Sequence, residues 1–204
     1  MAETGAIVLA AGASTRMGRQ KLLLPFAGTT VMAHVVRELF AARVAGVVIV
    51  TGFEPERIHA ALADSRVSFA HNPGYAQGML SSVRAGLAAA PPSWGAALIA
   101  LGDQPLIRTA HVSALLGEHA QTSGDILVPG HAGRRGHPLL LPRRYWLEAA
   151  TKHDESGLRG LLHAHADSVR VIELGTDDVV LDMDTPDDYA RAIARASERD
   201  REGA

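Results

Sequence analysis

The loop that follows the first apolar run of the chain carries small residues and two basic side chains at a spacing suited to a phosphate group. The run leads into Gly12-Ala-Ser-Thr-Arg16-Met-Gly-Arg-Gln-Lys21. Small residues let backbone N–H groups approach a phosphate closely, while Arg16 and Lys21 supply positive charge. The glycine spacing fits neither a Walker A loop nor a G-x-G-x-x-G dinucleotide fingerprint. An ordinary glycine turn between two elements would show the same composition.

Acidic side chains form a second group with potential chemistry. Asp103 comes directly after an apolar run, a position where a carboxylate can hold Mg²⁺ against a triphosphate, because Mg²⁺ prefers oxygen ligands and keeps several waters. Asp182 and Asp184 are two residues apart, so on a strand their side chains would face the same way. The alternative for Asp103 is that it simply opens the turn Gly-Asp-Gln-Pro at 102–105.

Two further loops are rich in hydrogen-bonding groups. Ser81 and Ser82 follow Gly78 at the start of a predicted helix, where hydroxyls can bind phosphate or ribose but where serine is also a preferred N-cap residue. Arg-Arg-Gly-His at 134–137 would form an anion-binding loop for a second substrate, since arginine binds phosphate through a planar fork of donors. An exposed basic turn would contain the same residues.

Five short motifs carry these residues in a fixed order along the chain. They are Leu-Ala-Ala-Gly with Arg-Met-Gly-x-x-Lys (9–21), Asn-Pro-Gly-Tyr-Ala-Gln-Gly-Met-Leu-Ser-Ser (72–82), Gly-Asp-Gln-Pro (102–105), Arg-Arg-Gly-His-Pro (134–138) and Asp-Met-Asp-Thr-Pro (182–186). In this order they resemble the MobA-like nucleotidyltransferases, and within them the molybdenum cofactor cytidylyltransferase branch. The resemblance covers nearly the whole chain, from about residue 5 to Ala192.

The resemblance, taken with the chemistry of the residues, implies a set of site residues. The catalytic residues would be Lys21, Arg16 and Asp103. The nucleotide-binding residues would be Leu9, Ala10, Ala11, Gly12, Ser14, Arg16, Lys21, Asn72, Gly78, Ser81 and Ser82. The acceptor-binding residues would be Arg134, Arg135, Gly136 and His137. Asp103 and Asp184 would hold Mg²⁺, with the second carboxylate placed by the resemblance.

The activity implied by the resemblance is transfer of CMP from CTP to the terminal phosphate of molybdopterin that carries molybdenum. That phosphate is an anion at neutral pH, so catalysis needs no general base and rests on alignment and charge neutralisation. The guanylyl branch usually has Leu-Ala-Gly-Gly where this chain has Leu-Ala-Ala-Gly, which favours CTP. The alternatives are a GTP-using enzyme, another acceptor, an NAD(P)H-dependent reductase, or a non-catalytic carrier that delivers the cofactor to a molybdenum hydroxylase apo-enzyme.

The elements that must position these loops follow from hydrophobic patterning. Apolar runs at 6–10, 47–51, 67–70, 96–101, 126–128, 139–141 and 169–174 predict strands covered on both faces. Helical spacing lies between them, and Thr-Pro-Asp-Asp at 185–188 has the cap, proline and acids of a helix start. This alternation predicts a three-layer α/β/α sandwich with a mostly parallel sheet, and the resemblance implies the Rossmann-like nucleotide-diphospho-sugar transferase type.

The strand order of such a sheet brings the loops at the carboxyl ends of the strands to one edge, where ligands bind. We expect a single domain over residues 1–196 and a flexible tail over residues 197–204, whose sequence SERDREGA is polar.

Composition excludes several other classes of protein. A 204-residue chain that is 47% hydrophobic can bury a sizeable core, so overall disorder is excluded, and a net charge of -2 argues against a nucleic-acid coat or a polybasic membrane anchor. The absence of cysteine excludes thiolate metal sites and cysteine nucleophiles and fits a cytoplasmic protein. No run approaches the ~20 apolar residues of a membrane span. Lys21 and Lys152 are the only lysines.

Overall fold

Every apolar run predicted as a strand forms one in the computed structural model, which describes residues 3–63, 65–122 and 124–202. The strands are β1 (Glu3–Ala10), β2 (Pro25–Phe26), β3 (Thr29–Thr30), β4 (Val47–Thr51), β5 (Ser68–His71), β6 (Trp94–Leu101), β7 (Ile126–His131), β8 (Arg134–Arg135), β9 (Leu139–Pro142) and β10 (Val169–Glu173). Eight of them form one sheet in the order β10-β7-β9-β6-β1-β4-β5, with β8 paired to β7. Strands β2 and β3 form a separate antiparallel pair.

The sheet is mostly parallel, as the patterning predicted. Strand β1 lies between β4 and β6 and is parallel to both, β5 is parallel to β4, and β10 is parallel to β7. Strand β9 differs, because it runs antiparallel to β6 and β7. The chain passes from β7 to β9 through the short strand β8 without a crossover helix, and parallel neighbours need such a crossover. This reversal brings the loop at 134–138 to the carboxyl end of β6.

Two layers of helices cover the sheet. The helices are α1 (Val31–Ala41), α2 (Pro55–Ala61), α3 (Met79–Ala89), α4 (Thr109–Gln121), α5 (Trp146–Thr151), α6 (Gly157–Ala164) and α7 (Pro186–Glu202). Helices α1, α2 and α4 pack on one face of the sheet and α3, α5 and α6 on the other. Within β1, Val8 joins the first core and Ile7 the second, and both are fully buried. Burial on both faces explains the continuous apolar runs and confirms the three-layer α/β/α architecture.

Helix α7 begins as predicted but continues further than expected. The Thr185 hydroxyl oxygen accepts a hydrogen bond from the Asp188 N–H at 3.2 Å, and the Asp188 carboxylate accepts one from the Thr185 N–H at 2.8 Å. The helix then runs through residues 197–202, where we expected a flexible tail. Arg199 holds this part of the helix, since its guanidinium donates to both carboxylate oxygens of buried Asp178 at 2.7 Å. An ion pair between distant residues cannot be predicted from apolar patterning, so the sequence did not indicate this extension of the helix. Residues 203–204 lie outside the described part of the chain.

Within the described residues, no helix is both long enough and apolar enough to cross a membrane.

Candidate active site

A cavity of about 430 Å³, here called the first pocket, lies at the carboxyl ends of β1 and β6. It collects most of the residues predicted to bind the nucleotide and the metal. The predicted residues in its wall are Leu9, Ala10, Ala11, Gly12, Ser14, Arg16, Lys21, Gly78, Ser82, Asp103 and Asp184. Asn72 and Ser81 are not among the residues that line it. The sheet edge therefore assembles the loops as its topology predicts.

Lys21 lies between two carboxylates at the wall of the first pocket. Its Nζ atom is 2.5 Å from Oδ2 of Asp103 and 2.8 Å from Oδ1 of Asp184. Burial lowers the pKa of the Lys21 ammonium, but the charge of Asp103 and the hydrogen bonds to both carboxylates outweigh that effect and hold the pKa above its ordinary value of 10.5. Lys21 is thus a fixed positive charge at neutral pH.

Asp184 also receives a hydrogen bond from the exposed guanidinium of Arg16. The hydrogen bond from Lys21 is the main cause that lowers the pKa of the Asp184 carboxyl, and the charges of Lys21 and Arg16 add to it. Asp184 is therefore ionised at neutral pH. The two basic residues predicted to act on phosphate contact one acidic residue predicted to hold a cation, so the three form one charge network.

The segment that carries Asp182 and Asp184 is a loop, so the alternation of a strand does not orient the two side chains. Both aspartates nonetheless line the first pocket. Met183 between them is buried in a small apolar cluster and donates its N–H to the Asp103 carbonyl oxygen at 3.2 Å, which turns the flanking side chains toward the pocket. Asp182 accepts a hydrogen bond at 2.7 Å from the amide of buried Gln104, a supporting residue that the turn motif contains but that we did not single out.

The loop between β1 and Lys21 is shaped by internal hydrogen bonds. Ser14 has a left-handed backbone with φ of 52°, and its hydroxyl donates to Oε1 of Gln20 at 2.8 Å. The same hydroxyl oxygen accepts the Lys21 N–H at 3.2 Å. Gln20 is 5% exposed and was missed by the sequence reasoning, because a glutamine beside a basic residue gives no sign of burial. Ser14 thus braces the loop that presents Lys21.

Asn72 supports the start of α3 from behind the first pocket. Its buried side-chain amide donates to the hydroxyl of Ser81 at 2.8 Å and to that of Ser82 at 3.0 Å. Gly78 occupies the N-cap position with φ of 108°, so neither serine is the N-cap residue. Ser82 reaches the pocket wall, and the hydrogen bond from Asn72 fixes its hydroxyl. A direct role of these residues toward a nucleotide stays a prediction.

A larger cavity of about 930 Å³, the second pocket, adjoins the first, and Gly78 and Met79 line both. The residues predicted to bind an acceptor all lie in its wall: Arg134, Arg135, Gly136 and His137. Another part of the wall was missed by the sequence reasoning. It comes from α6 and the loop before it: Asp154, Glu155, Ser156, Gly157, Leu158, Arg159 and Leu162. A polar Asp-Glu-Ser-Gly run before a helix with a basic residue in its first turn was the available signal.

The predicted acceptor loop is well ordered by main-chain contacts. Gly136 has no room for a side chain, because a Cβ atom there would lie 1.9 Å from the Val179 carbonyl oxygen. His137 Nδ1 lies 3.1 Å from the Ile99 carbonyl oxygen, which can only accept, so that nitrogen carries the proton. Burial lowers the pKa of His137, so His137 is neutral at neutral pH and does not contribute charge to an anion site. The positive charge of this loop comes from Arg134 and Arg135.

The donor set of the first pocket suits a divalent cation that a nucleotide brings with it. Within the described residues no group of three or more histidine, cysteine or acidic side chains forms a self-contained metal site. Asp103 and Asp184 contact the same Lys21 ammonium, so their carboxylates lie close together at the wall of the first pocket. Mg²⁺ is commonly held by one or two carboxylates together with waters and phosphate oxygens. The two aspartates therefore fit such an ion when phosphate oxygens complete its shell.

Comparison with known proteins agrees with this geometry. Residues 6–169 match the family described as MobA-like NTP transferase domain. The molybdenum cofactor cytidylyltransferase of Escherichia coli (strain K12) is 30% identical over 97% of this chain and 100% of that protein. The nicotine blue oxidoreductase of Paenarthrobacter nicotinovorans is 30% identical over 92% of this chain and 95% of that protein.

Solved structures show the same fold. Rv0371c from Mycobacterium tuberculosis H37Rv superimposes with a TM-score of 0.81 at 30% identity, over 94% of this chain and 97% of that chain. A structure of Rv0371c in complex with manganese gives a TM-score of 0.79. Sequence, fold and the pocket with its converging charges therefore agree that the chain belongs to the MobA-like NTP transferases and is a nucleotidyltransferase of the cytidylyltransferase type.

Proposed function

We propose that this enzyme transfers the cytidylyl group of CTP to the terminal phosphate of molybdopterin carrying molybdenum, which yields molybdopterin cytosine dinucleotide and pyrophosphate. An oxygen of the acceptor phosphate attacks the α-phosphorus of CTP, and the bond from that phosphorus to the oxygen of the leaving pyrophosphate breaks. The single observation that carries the proposal is Lys21 held between Asp103 and Asp184 in a pocket that opens directly into a second, arginine-lined pocket.

The first pocket supplies the charge neutralisation that this reaction needs. Lys21 stays protonated and, with Arg16, faces the position of the triphosphate and stabilises charge that develops on it and on the leaving group. Asp103 and Asp184 would hold Mg²⁺, which when bound offsets negative charge on the phosphates. The acceptor phosphate is already an anion, so no side chain has to remove a proton.

The second pocket suits an acceptor that combines an anionic group with a flat or apolar body. Arg134, Arg135 and Arg159 bring three guanidinium groups to its wall. Leu139, Leu158 and Leu162 supply apolar surface in the same wall. The contact of the two pockets at Gly78 and Met79 would let an acceptor phosphate reach the α-phosphorus of a nucleotide in the first pocket.

Support for CTP as the nucleotide comes from the loop that follows β1. Ala10 and Ala11 both line the first pocket, and Ala11 stands where the guanylyl branch usually has glycine. A methyl group at this place narrows the pocket beside the base, which favours a pyrimidine over a purine.

The similarity to an oxidoreductase makes hydride transfer the main rival to nucleotidyl transfer. Hydride transfer from a nicotinamide needs no pair of carboxylates for a metal ion, whereas this pocket has two carboxylates in contact with one lysine. A non-catalytic carrier of the cofactor would likewise have no need of that network. A molybdenum hydroxylase apo-enzyme as the recipient of the product also belongs to the proposal.

The test is pyrophosphate release from labelled CTP in the presence of molybdate-loaded molybdopterin and Mg²⁺, with GTP and NADH in parallel reactions. Pyrophosphate release with CTP and not with GTP supports the proposal. Release with GTP alone overturns the base assignment, oxidation of NADH indicates a reductase, and no release with either triphosphate overturns nucleotidyl transfer.

The residue test in the same assay is Asp103→Asn, which should lower the rate at least ~100-fold because it removes a charged group that orients Lys21 and a cation. Asp187→Asn is the matched control, since Asp187 is exposed at the start of α7. Asp103→Asn with the rate of the wild type would overturn the metal assignment. Circular dichroism checks that both variants fold.

A further inference from the structure

One short segment contacts both pockets through its main chain. Residues 177–184 are here called the connecting segment. The Val179 carbonyl oxygen in this segment accepts a hydrogen bond from the His137 N–H at 2.9 Å. The Arg134 guanidinium donates to the next carbonyl oxygen along, at 3.2 Å. At the other end, Met183 donates its N–H to the Asp103 carbonyl oxygen. The position of this segment thus sets the acceptor loop on one side and the carboxylates of the first pocket on the other.

Asp178, near the start of the connecting segment, is fully buried and lines neither pocket. Arg199 donates to both of its carboxylate oxygens at 2.7 Å, and Nε of Arg195 lies 3.1 Å from one of them. Both arginines belong to the last turns of α7. Nitrogen atoms of Arg108 and His111, at the start of α4, lie 3.8 and 3.9 Å from Oδ2 of the same carboxylate.

A buried carboxylate surrounded in this way favours one arrangement of its neighbours. An ion buried away from water is costly unless each oxygen is paired, so any shift of the connecting segment that separates Asp178 from Arg199 is penalised. The Nη2 atom of Arg199 contacts both carboxylate oxygens, and such a charge-assisted contact is lost when the connecting segment and the end of α7 move apart. A buried pair adds little net stability over an apolar pair of the same shape, and its main effect is to specify one geometry.

We propose that Asp178 is a positioning residue, which acts through Arg199 and Arg195 to hold the connecting segment in the place that both pockets require. The last turns of α7 are then part of the functional unit of the enzyme, although they line neither pocket. The effect on turnover rests on the proposed nucleotidyl transfer, whereas the effect on the connecting segment does not.

The first experiment compares hydrogen exchange of the His137 and Met183 amides in the wild type and in Asp178→Asn. The His137 amide donates to the connecting segment, and the Met183 amide belongs to that segment and donates to Asp103. Asparagine keeps the shape of the side chain and removes its charge. We expect both amides to lose at least ten-fold more protection than the amides of β1, because the segment detaches while the sheet stays closed. Equal loss at these amides and in β1 would show a merely stabilising residue and overturn the proposal.

Two other variants complete the exchange experiment. Arg201→Ala removes an exposed arginine two residues beyond Arg199 on the same helix and should leave exchange at His137 and Met183 unchanged. Arg199→Lys keeps the charge but replaces the longer, planar guanidinium by an ammonium on a shorter side chain, so it should give an intermediate loss. It replaces Asp178→Asn if the latter does not fold. Arg199→Gln removes the charge as well. If the His137 and Met183 amides keep the protection of the wild type in both Arg199→Lys and Arg199→Gln, the proposal is also overturned.

The second experiment uses turnover at a temperature where circular dichroism shows all variants fully folded. Asp178→Asn should raise KM for the acceptor and lower kcat, each at least five-fold, while Arg201→Ala behaves as the wild type. Unchanged constants for Asp178→Asn would contradict a positioning role. If the wild type itself transfers no nucleotide, the proposed function fails, and the exchange experiment still decides the role of Asp178.

Discussion

Replacing Lys21 by methionine removes the positive charge on which the first pocket is organised, and keeps the length of the side chain. The Lys21 side chain is 14% exposed and lies 2.5 and 2.8 Å from two carboxylates that are 21% and 39% exposed. A pair of unit charges ~4 Å apart near a protein surface interacts by about 4 kcal/mol at an effective dielectric constant of 20. The cost of burying the ammonium and the exposure of Asp184 offset much of this, so we expect a loss of about 2 kcal/mol of stability.

For a chain of this size, a loss of about 2 kcal/mol corresponds to a fall in Tm of ~4–8 °C. The effect on the rate should be larger, because a charge that stabilises the transition state in a closed site is worth ~3–4 kcal/mol, or a fall of ~100- to 1000-fold in kcat. The assay is pyrophosphate release under saturating nucleotide, measured at 20 °C, where the variant is still folded.

Lys152→Met is the matched control, since Lys152 is exposed and is the other lysine of the chain. It should keep the kcat of the wild type within two-fold. Equal kcat values for the two methionine variants would refute the assignment of Lys21. A rate loss in Lys21→Met that disappears far below the Tm of the variant would also refute it, because instability alone would then explain the loss.

Two further predictions concern stability. Gly136→Ala should lower the free energy of unfolding by about 1–3 kcal/mol, because its Cβ would overlap the Val179 carbonyl. Gly117→Ala on α4 has open space and should raise the free energy of unfolding by about 0.5–1 kcal/mol. Urea unfolding measures both variants, and an unchanged stability of Gly136→Ala would contradict the packing. Hydrogen bonds from Thr185 lower the pKa of Asp188 below 3.8, so its stabilising effect is present above that pH and is lost as pH falls through the folded-state pKa. Asp188→Asn should therefore be less stable than the wild type at pH 7, with the difference shrinking below pH ~3.8, and an equal difference at pH 7 and pH 3 would exclude this cause.

The layered architecture could be predicted because the residues of each strand themselves indicate whether one or both faces of that strand are covered. Ile7 and Val8 are adjacent and face opposite helical layers, and only a strand covered on both sides needs apolar residues at both positions. The sharing of one sheet edge by Lys21 and Asp103 follows in turn from parallel neighbouring strands, because their carboxyl ends meet.

What the sequence could not show are contacts between residues far apart in the chain. Asp178 and Arg199 are separated by 21 positions, and nothing in the sequence around either residue indicates that they form a pair. Gln20 and Gln104 are buried amides, although glutamine is usually exposed, and tertiary packing alone decides this. The wall that α6 adds to the second pocket depends on how helices cover the sheet, which patterning does not specify.

The shared lining of the two pockets at Gly78 and Met79 has a consequence for what leaves the enzyme. Under the proposed function, a product that joins nucleotide to acceptor would occupy both pockets with one molecule, so its second half would bind at the high effective concentration set by the covalent link to the first. The joined product should dissociate more slowly than either substrate, and its release, rather than bond formation, would then limit steady-state turnover. A stable molecule that tethers a cytidine to an anionic heterocycle across Met79 would exploit the same linkage as an inhibitor.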